Sequence, residues 1–303
     1  MNQARRFREL CQASEMIVAP GAYDGITARL AEQAGFPAVY MTGAGTSASR
    51  GYPDFGLLTM SEMADNAGIL TRATGIPVVA DADTGYGNEL NVTRTVQEYE
   101  MRGVAALHIE DQVSPKRCGH LDGKEIISRE DYIAKIRAAV AARRNPDFTI
   151  IARTDARAVD SMDEAIWRAN RALEAGADMA FVEAAQTLQE VESIPRLVNG
   201  PCLFNLVKGG KSPEVTLQQV RDFGYRLAIM PSLLLVAVIE ACDRVLHQVK
   251  ESGVPPSGET GPKVHERFRR FGADEWNAIR TRFRDEPARE MSAAAQGSPA
   301  DVR

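Results

Sequence analysis

The chain has 303 residues, 44% of them hydrophobic, enough to bury a substantial core in one large α/β domain or two ordinary ones. Its 36 basic and 41 acidic residues are interspersed and sum to −5, which leaves no electrostatic case for a nucleic-acid partner. The N-terminus lacks the apolar run of a secretory signal, and the greasiest stretch, LAIMPSLLLVAVIEAC, is broken by Pro231 and Ser232 and too short to span a bilayer, so a cytoplasmic protein without a membrane partner is expected.

Short β-rich runs then recur along the chain, at 16–20, 38–42, 76–83, 104–110, 148–154, 179–184, 201–206 and 226–231, each followed by a helical pattern. Eight such units predict an α/β fold of the (β/α)8 TIM-barrel type over residues 1–249. The strands are almost continuously apolar, as parallel strands covered on both faces must be. A doubly wound sheet is the rival, because GAGTSA (43–48) matches a loose dinucleotide fingerprint, but the acidic residue that should follow comes too late in the chain. A Pro/Gly-rich linker (250–263) leads to VHERFRRFGADEWNAIRTRFRDE, in which Val264, Phe268, Phe271, Ile279 and Phe283 recur at roughly helical spacing. This predicts a C-terminal helical extension over 264–286, with Gly272 as a point of interruption, and a disordered tail over 287–303. One apolar stripe behind a flexible linker needs a surface to dock on, either its own barrel or a neighbouring subunit.

Barrel enzymes place their chemistry where the strands end. Standing there are Asp24, then Thr42 and Gly43, Asp81 and Asp83, Glu110 and Asp111, Arg153 and Asp155, Glu183, Asn205, and Pro231 with Ser232. In ADADTGYGN (80–88) two carboxylates at i and i+2 would share one face of a strand, with Glu110 ending the next. No lysine or arginine lies in the last turn of either segment, so a hard divalent cation, Mg2+ or Mn2+, is expected to offset Asp81, Asp83 and Glu110; the alternative is a carboxylate pair that caps helices and binds no metal. Arg153 can grip a substrate carboxylate bidentately, or instead pair with Glu183 or Asp155. His108 reads as a core or supporting histidine, and Trp167 as packing.

Cys11, Cys202 and Cys242 read as small buried hydrophobes, with no C-x-x-C pair to suggest zinc. Cys118, in SPKRCGHL, sits among polar residues, where Lys116 and Arg117 would favour a thiolate and the thiol could deliver a proton into a water-poor site. A loop with Gly119 and Gly123 that carries such a group suggests a gate.

DADTGYGN, HIEDQVSPKRCGHLDGK and IARTDA together resemble the isocitrate lyase/phosphoenolpyruvate mutase superfamily, whose lyase branch carries a K-[KR]-C-G-H gating loop. The resemblance implies a magnesium-dependent carbon–carbon lyase acting on a 2-hydroxy carboxylate, with Asp81, Asp83 and Glu110 at the metal. Thr42, Gly43 and Ala44 would take one substrate carboxylate, and Gly119, His120, Arg153, Glu183 and Asn205 would line the rest. Cys118 would be the general acid, with Lys116 beside it, and Tyr40 is a candidate for the unassigned base. The cleavage would give a 2-keto acid, pyruvate, and a second carboxylic acid. Methylisocitrate lyases carry an arginine where this chain has Val236, which favours a 2-alkylmalate such as 2,3-dimethylmalate over a tricarboxylate; 2-methylisocitrate cleavage and oxaloacetate hydrolysis or decarboxylation are the alternatives. The resemblance also implies a homotetramer in which C-terminal helices are exchanged between subunits.

Overall fold

The structure, a computed structural model, describes residues 2–255 and 263–295, with side chains described as far as residue 284. After α1 (Gln3–Gln12) come β1 (Ile17–Ala22), α2 (Gly25–Gln33), β2 (Val39–Met41), α3 (Gly43–Ser49) and α4 (Met60–Ala73). The chain continues through β3 (Val78–Asp81), α5 (Glu89–Met101), β4 (Ala106–Glu110), α6 (Arg129–Ala142), β5 (Thr149–Thr154), α7 (Ala156–Val159) and α8 (Met162–Glu174). Next are β6 (Met179–Val182), α9 (Leu188–Leu197), β7 (Cys202–Asn205), α10 (Leu217–Asp222), β8 (Leu227–Met230) and α11 (Leu233–Ser252), and then α12 (Val264–Arg269) and α13 (Ala273–Ala295). The eight strands pair in parallel and in chain order, and β8 returns to β1 to close a barrel, which rules out the doubly wound sheet.

Strand alternation divides the core in two. Val78, Leu107, Ile109 and Ile150 point outward against Leu70, Val92, Val96 and Tyr99 of the helices. Val79, Ala106, Ile151, Phe181, Leu203 and Ile229 fill the barrel interior, together with Phe7 of α1. Burying each such large side chain contributes about 1.5–3 kcal/mol. The helices start where sequence chemistry places them: Thr42, Thr59, Ser128, Ser161, Thr187 and Thr216 each accept an amide of the following first turn, worth about 1 kcal/mol apiece.

Two compact units divide at residues 241 and 242, inside α11 and short of the boundary expected at 249. In the second unit, Gly272 (φ 89°) separates α12 from α13, which runs on to Ala295 and so takes in residues 287–295 of the segment expected to be disordered. Residues 256–262 of the expected linker and 296–303 of the expected tail lie outside the described residues. Cys202 is buried as expected, but Cys11 is only partly buried and Cys242 is exposed.

Candidate active site

β3 ends at Asp81, and Asp83 lies beyond it in left-handed backbone (φ 46°), so the pair does not share a pleat as the i, i+2 spacing suggests. The turn nevertheless directs both carboxylates towards Gly43: a Cβ there would stand 2.5 Å from Asp81 Oδ2 and 3.6 Å from Asp83 Oδ1. Only glycine leaves that approach open. Tyr40 Oη, Gly43 N and Asp83 N donate to Asp81 at 3.2, 3.3 and 2.9 Å.

Burial opposes the Asp81 charge, but His108, charged at the low pH where Asp81 titrates, then Lys116, Arg153 and the Asp83 amide outweigh it and hold the carboxyl below its usual range. Asp83 goes the other way: burial, with the charges of Asp81 and Asp54, pushes it up to about 6 despite Lys116. Burial also raises Glu110. His108, paired with Asp81 in the β3–β4 register, is pulled down by burial to about 4 and is neutral at pH 7. It stacks on Tyr40 and shares a 2.9 Å hydrogen bond with its hydroxyl, supporting that ring as expected. Tyr40 itself does not fit a base: burial and then Asp81 raise its pKa, and its proton is already given to Asp81.

The carboxylates are not without protein cations, contrary to the expectation from the two segments alone. Lys116 Nζ reaches Asp54 at 2.6 Å and Asp83 at 3.0 Å. Arg153 Nε lies 3.0 Å from Asp155 and 3.1 Å from Glu110, and Nη2 is 3.7 Å from Glu183. The structural pairing of Arg153 is therefore the one observed. Asp54, on the loop before α4, was missed because it follows no strand; the only signal was an acid inside the glycine-bounded GYPDFG. Asp24 caps α2 instead of joining the site. Asp111 lies beneath it, accepting from Thr154 Oγ1, Asp155 N and Arg168 Nη1 at 2.6, 2.8 and 3.1 Å.

The loop bearing Cys118 lies against the barrel mouth. At Gly119 a Cβ would come within 2.6 Å of Arg153 Nη2 and Glu183 Cγ, so only glycine allows this approach. Lys124 holds the loop through the Gly119 carbonyl and Asp155, 3.4 Å away in the latter case. Lys211 N donates to His120 Nδ1 at 3.0 Å, which leaves the proton on Nε2, 3.3 Å from Glu183 Oε1. Asn205 Nδ2 donates to the other Glu183 oxygen at 3.0 Å.

Cys118 lines the resulting cavity of about 100 Å³ with Tyr40, Thr42, Ala44, Asp54, Asp81 and Lys116 on one side and Gly119, His120, Arg153, Glu183 and Asn205 on the other. Val207, Pro231 and Ser232 complete the wall, whereas Val236 is 46% exposed and outside it. Burial, reinforced by Asp54, raises the Cys118 pKa, and the cations expected to favour a thiolate are committed elsewhere: Lys116 to carboxylates, Arg117 over the Phe55 ring at 5.7 Å. Cys118 is thus a protonated thiol at neutral pH. Its alkylation by iodoacetamide at pH 7.5 is expected to be slower than that of free cysteine and to accelerate only at more alkaline pH than free cysteine does, read by peptide mass spectrometry; rapid labelling at neutral pH would contradict the protonated state.

Asp83 Oδ1 and Glu110 Oε2 are buried and meet only the ion-pair contacts of Lys116 and Arg153, while Glu110 Oε1 is buried without a hydrogen bond; hard oxygen donors of this kind suit magnesium. Among the described residues no three His, Cys, Asp or Glu groups form a ready-made cage.

A closed parallel barrel whose mouth holds clustered carboxylates, a paired guanidinium and a thiol on a covering loop defines a barrel enzyme. The family model for phosphoenolpyruvate phosphomutase matches residues 7–250, and the chain belongs to that family. A 2,3-dimethylmalate lyase of Eubacterium barkeri is 48% identical over 80% of this chain and 84% of its own. A 2-methylisocitrate lyase of Aeropyrum pernix is 47% identical over 81% and 79%, respectively. The structure of an oxaloacetate acetylhydrolase with 3,3-difluorooxalacetate superposes with a TM-score of 0.87 at 36% identity, covering 99% of each chain.

Proposed function

We propose that the protein is a magnesium-dependent carbon–carbon lyase that cleaves a 2-alkylmalate, such as 2,3-dimethylmalate, to pyruvate and a carboxylic acid. The observation that carries the choice of substrate is the cavity wall. Its cations, Lys116 and Arg153, are each paired with protein carboxylates, and Ala44, Val207 and Pro231 supply apolar surface. A third substrate carboxylate would be buried there without a cation of its own, whereas an alkyl group is accepted. Identity does not make this choice, since the two lyases above differ by one percentage point.

Asp81 and Asp83, with Glu110 nearby, would hold Mg2+, which supplies electrostatic stabilisation to the oxygens of the keto acid being formed. Thr42, Gly43 and Ala44 orient one carboxylate, and Asn205, His120 and Arg153 the other end. Loss of the 2-hydroxyl proton drives cleavage of C2–C3, whose electron pair stays on C3. The Cys118 thiol then protonates that carbon, and the loop over it keeps water from doing so. A cytoplasmic location is proposed; no helix among the described residues is long and apolar enough to cross a membrane. A homotetramer with exchanged C-terminal helices is proposed as well; exposed Phe268, Trp276, Ile279 and Phe283 on α12 and α13 are apolar surface that such an exchange would cover.

The experiment is keto-acid release with Mg2+ from 2,3-dimethylmalate, 2-methylisocitrate, isocitrate and oxaloacetate in parallel. Pyruvate from 2,3-dimethylmalate is the expected result. Turnover of a tricarboxylate alone would overturn the substrate class, and turnover of oxaloacetate alone would move the enzyme to the hydrolase or decarboxylase branch.

A further inference from the structure

The segment after β3 turns through four residues of positive φ, Asp83 (46°), Gly85 (76°), Tyr86 (63°) and Gly87 (151°). Two of these carry side chains, and such backbone persists only where its surroundings hold it. The holding contacts are made at the carbonyls of Asp81, Asp83, Thr84 and Gly85, whose donors come from β4, α5 and α6.

Tyr99 of α5 donates its hydroxyl to Asp81 O at 3.0 Å, Glu110 N donates to Asp83 O at 2.9 Å, Lys135 of α6 donates Nζ to Thr84 O at 3.1 Å, and Thr95 of α5 donates to Gly85 O at 3.2 Å. Tyr86 closes the set, with its hydroxyl 3.1 Å from that of Tyr99. Tyr99 is fully buried and Lys135 is 6% exposed. Neither lines the cavity. A buried ammonium is costly in a helix face that could have been apolar, and that of Lys135 donates to the carbonyl of Thr84, the residue after Asp83.

We propose that Tyr99 and Lys135 are positioning residues for the metal-binding turn, fixing the Asp81 and Asp83 carboxylates through the main-chain carbonyls of Asp81 and Thr84. The proposal rests on the reading that these two carboxylates hold a divalent cation. Groups that orient ligands from behind commonly change metal affinity by about 10–100-fold when removed. The two residues differ in a useful way. Tyr99→Phe deletes one oxygen and no charge. Lys135→Met also removes a positive charge near Glu110, which by Coulomb's law alone would tighten a divalent cation. Positioning and plain electrostatics therefore predict opposite signs for Lys135.

The test is titration of the metal-free full-length protein with Mn2+, following the free ion by electron paramagnetic resonance, for the parent, Asp81→Asn, Tyr99→Phe and Lys135→Met. The melting temperature of each metal-free form is measured alongside. The expected result is a Kd for Mn2+ weakened about 10-fold by each of Tyr99→Phe and Lys135→Met, and binding abolished in Asp81→Asn. A Kd unchanged from the parent, with or without a lower melting temperature, would make the two residues structural only and overturn the proposal. A tighter Kd in Lys135→Met would overturn the role of Lys135. A parent that holds no Mn2+, or an Asp81→Asn form that binds as the parent does, would overturn the metal reading itself and this proposal with it.

Discussion

Cys118→Ser is expected to lower kcat for keto-acid release by about 10²–10⁴-fold, the range that a positioned general acid contributes. Serine preserves size and hydrogen bonding, but its hydroxyl is a far weaker acid than the thiol and gives its proton poorly to a carbanion. Because the proton moves after C–C cleavage begins, KM should change much less than kcat. Apart from a hydrogen bond with the His120 backbone, which a hydroxyl can also make, the loop contacts through Lys124 and Lys211 do not use the Cys118 sulfur, so circular dichroism and melting should stay close to those of the parent. A kcat within a few fold of the parent would remove Cys118 from the chemistry and leave the loop as a cover only.

The largest loss of stability is expected from Arg168→Met, on α8 beneath the site. Arg168 binds Asp111 at 3.1 Å, Glu164 at 2.7 Å and the Ile127 carbonyl at 2.9 Å, and is 3% exposed. Removing one member of such a buried set leaves Asp111 without its cation and costs about 3–5 kcal/mol, of the order of 10 °C in Tm for a domain of this size. The loss should depend on pH. Burial, then the Asp155 charge, raises Asp111 to about 6 in the intact protein, and removing Arg168 raises it further. A carboxyl whose folded pKa lies above its unfolded value destabilises the fold once it must ionise, so the deficit should widen as pH rises through 6 and shrink below it. Thermal melts at pH 5 and pH 8 would read this, and an equal deficit at both would show that Asp111 is not the group left unpaired.

The registers of the barrel explain what could and could not be seen beforehand. All eight strands were legible to within two residues at every boundary, because apolar runs bounded by turn residues are a local signal of buried strands. The residues standing at their ends were legible for the same reason. Their partners were not. Arg153 faces Glu110 because β4 and β5 pair in that register, and His108 faces Asp81 because β3 and β4 do. Lys116 and Asp54 meet near Asp83 although loops of different lengths carry them. The spacing argument for Asp81 and Asp83 failed at one point: it assumed that the strand continues, whereas a turn held from α5 and α6 follows Asp81.

By itself, then, the sequence determined the strand count, the strand–helix alternation, the barrel, and the identity of the acids and the thiol that surround its mouth, since periodicity and residue chemistry are local properties. Only the tertiary structure decided which cation meets which carboxylate, that the Cys118 thiol stays protonated, and that Tyr40 serves Asp81. Pairing depends on register and on distances between loops remote in the chain, and a pKa depends on burial and on the charges that those distances bring close.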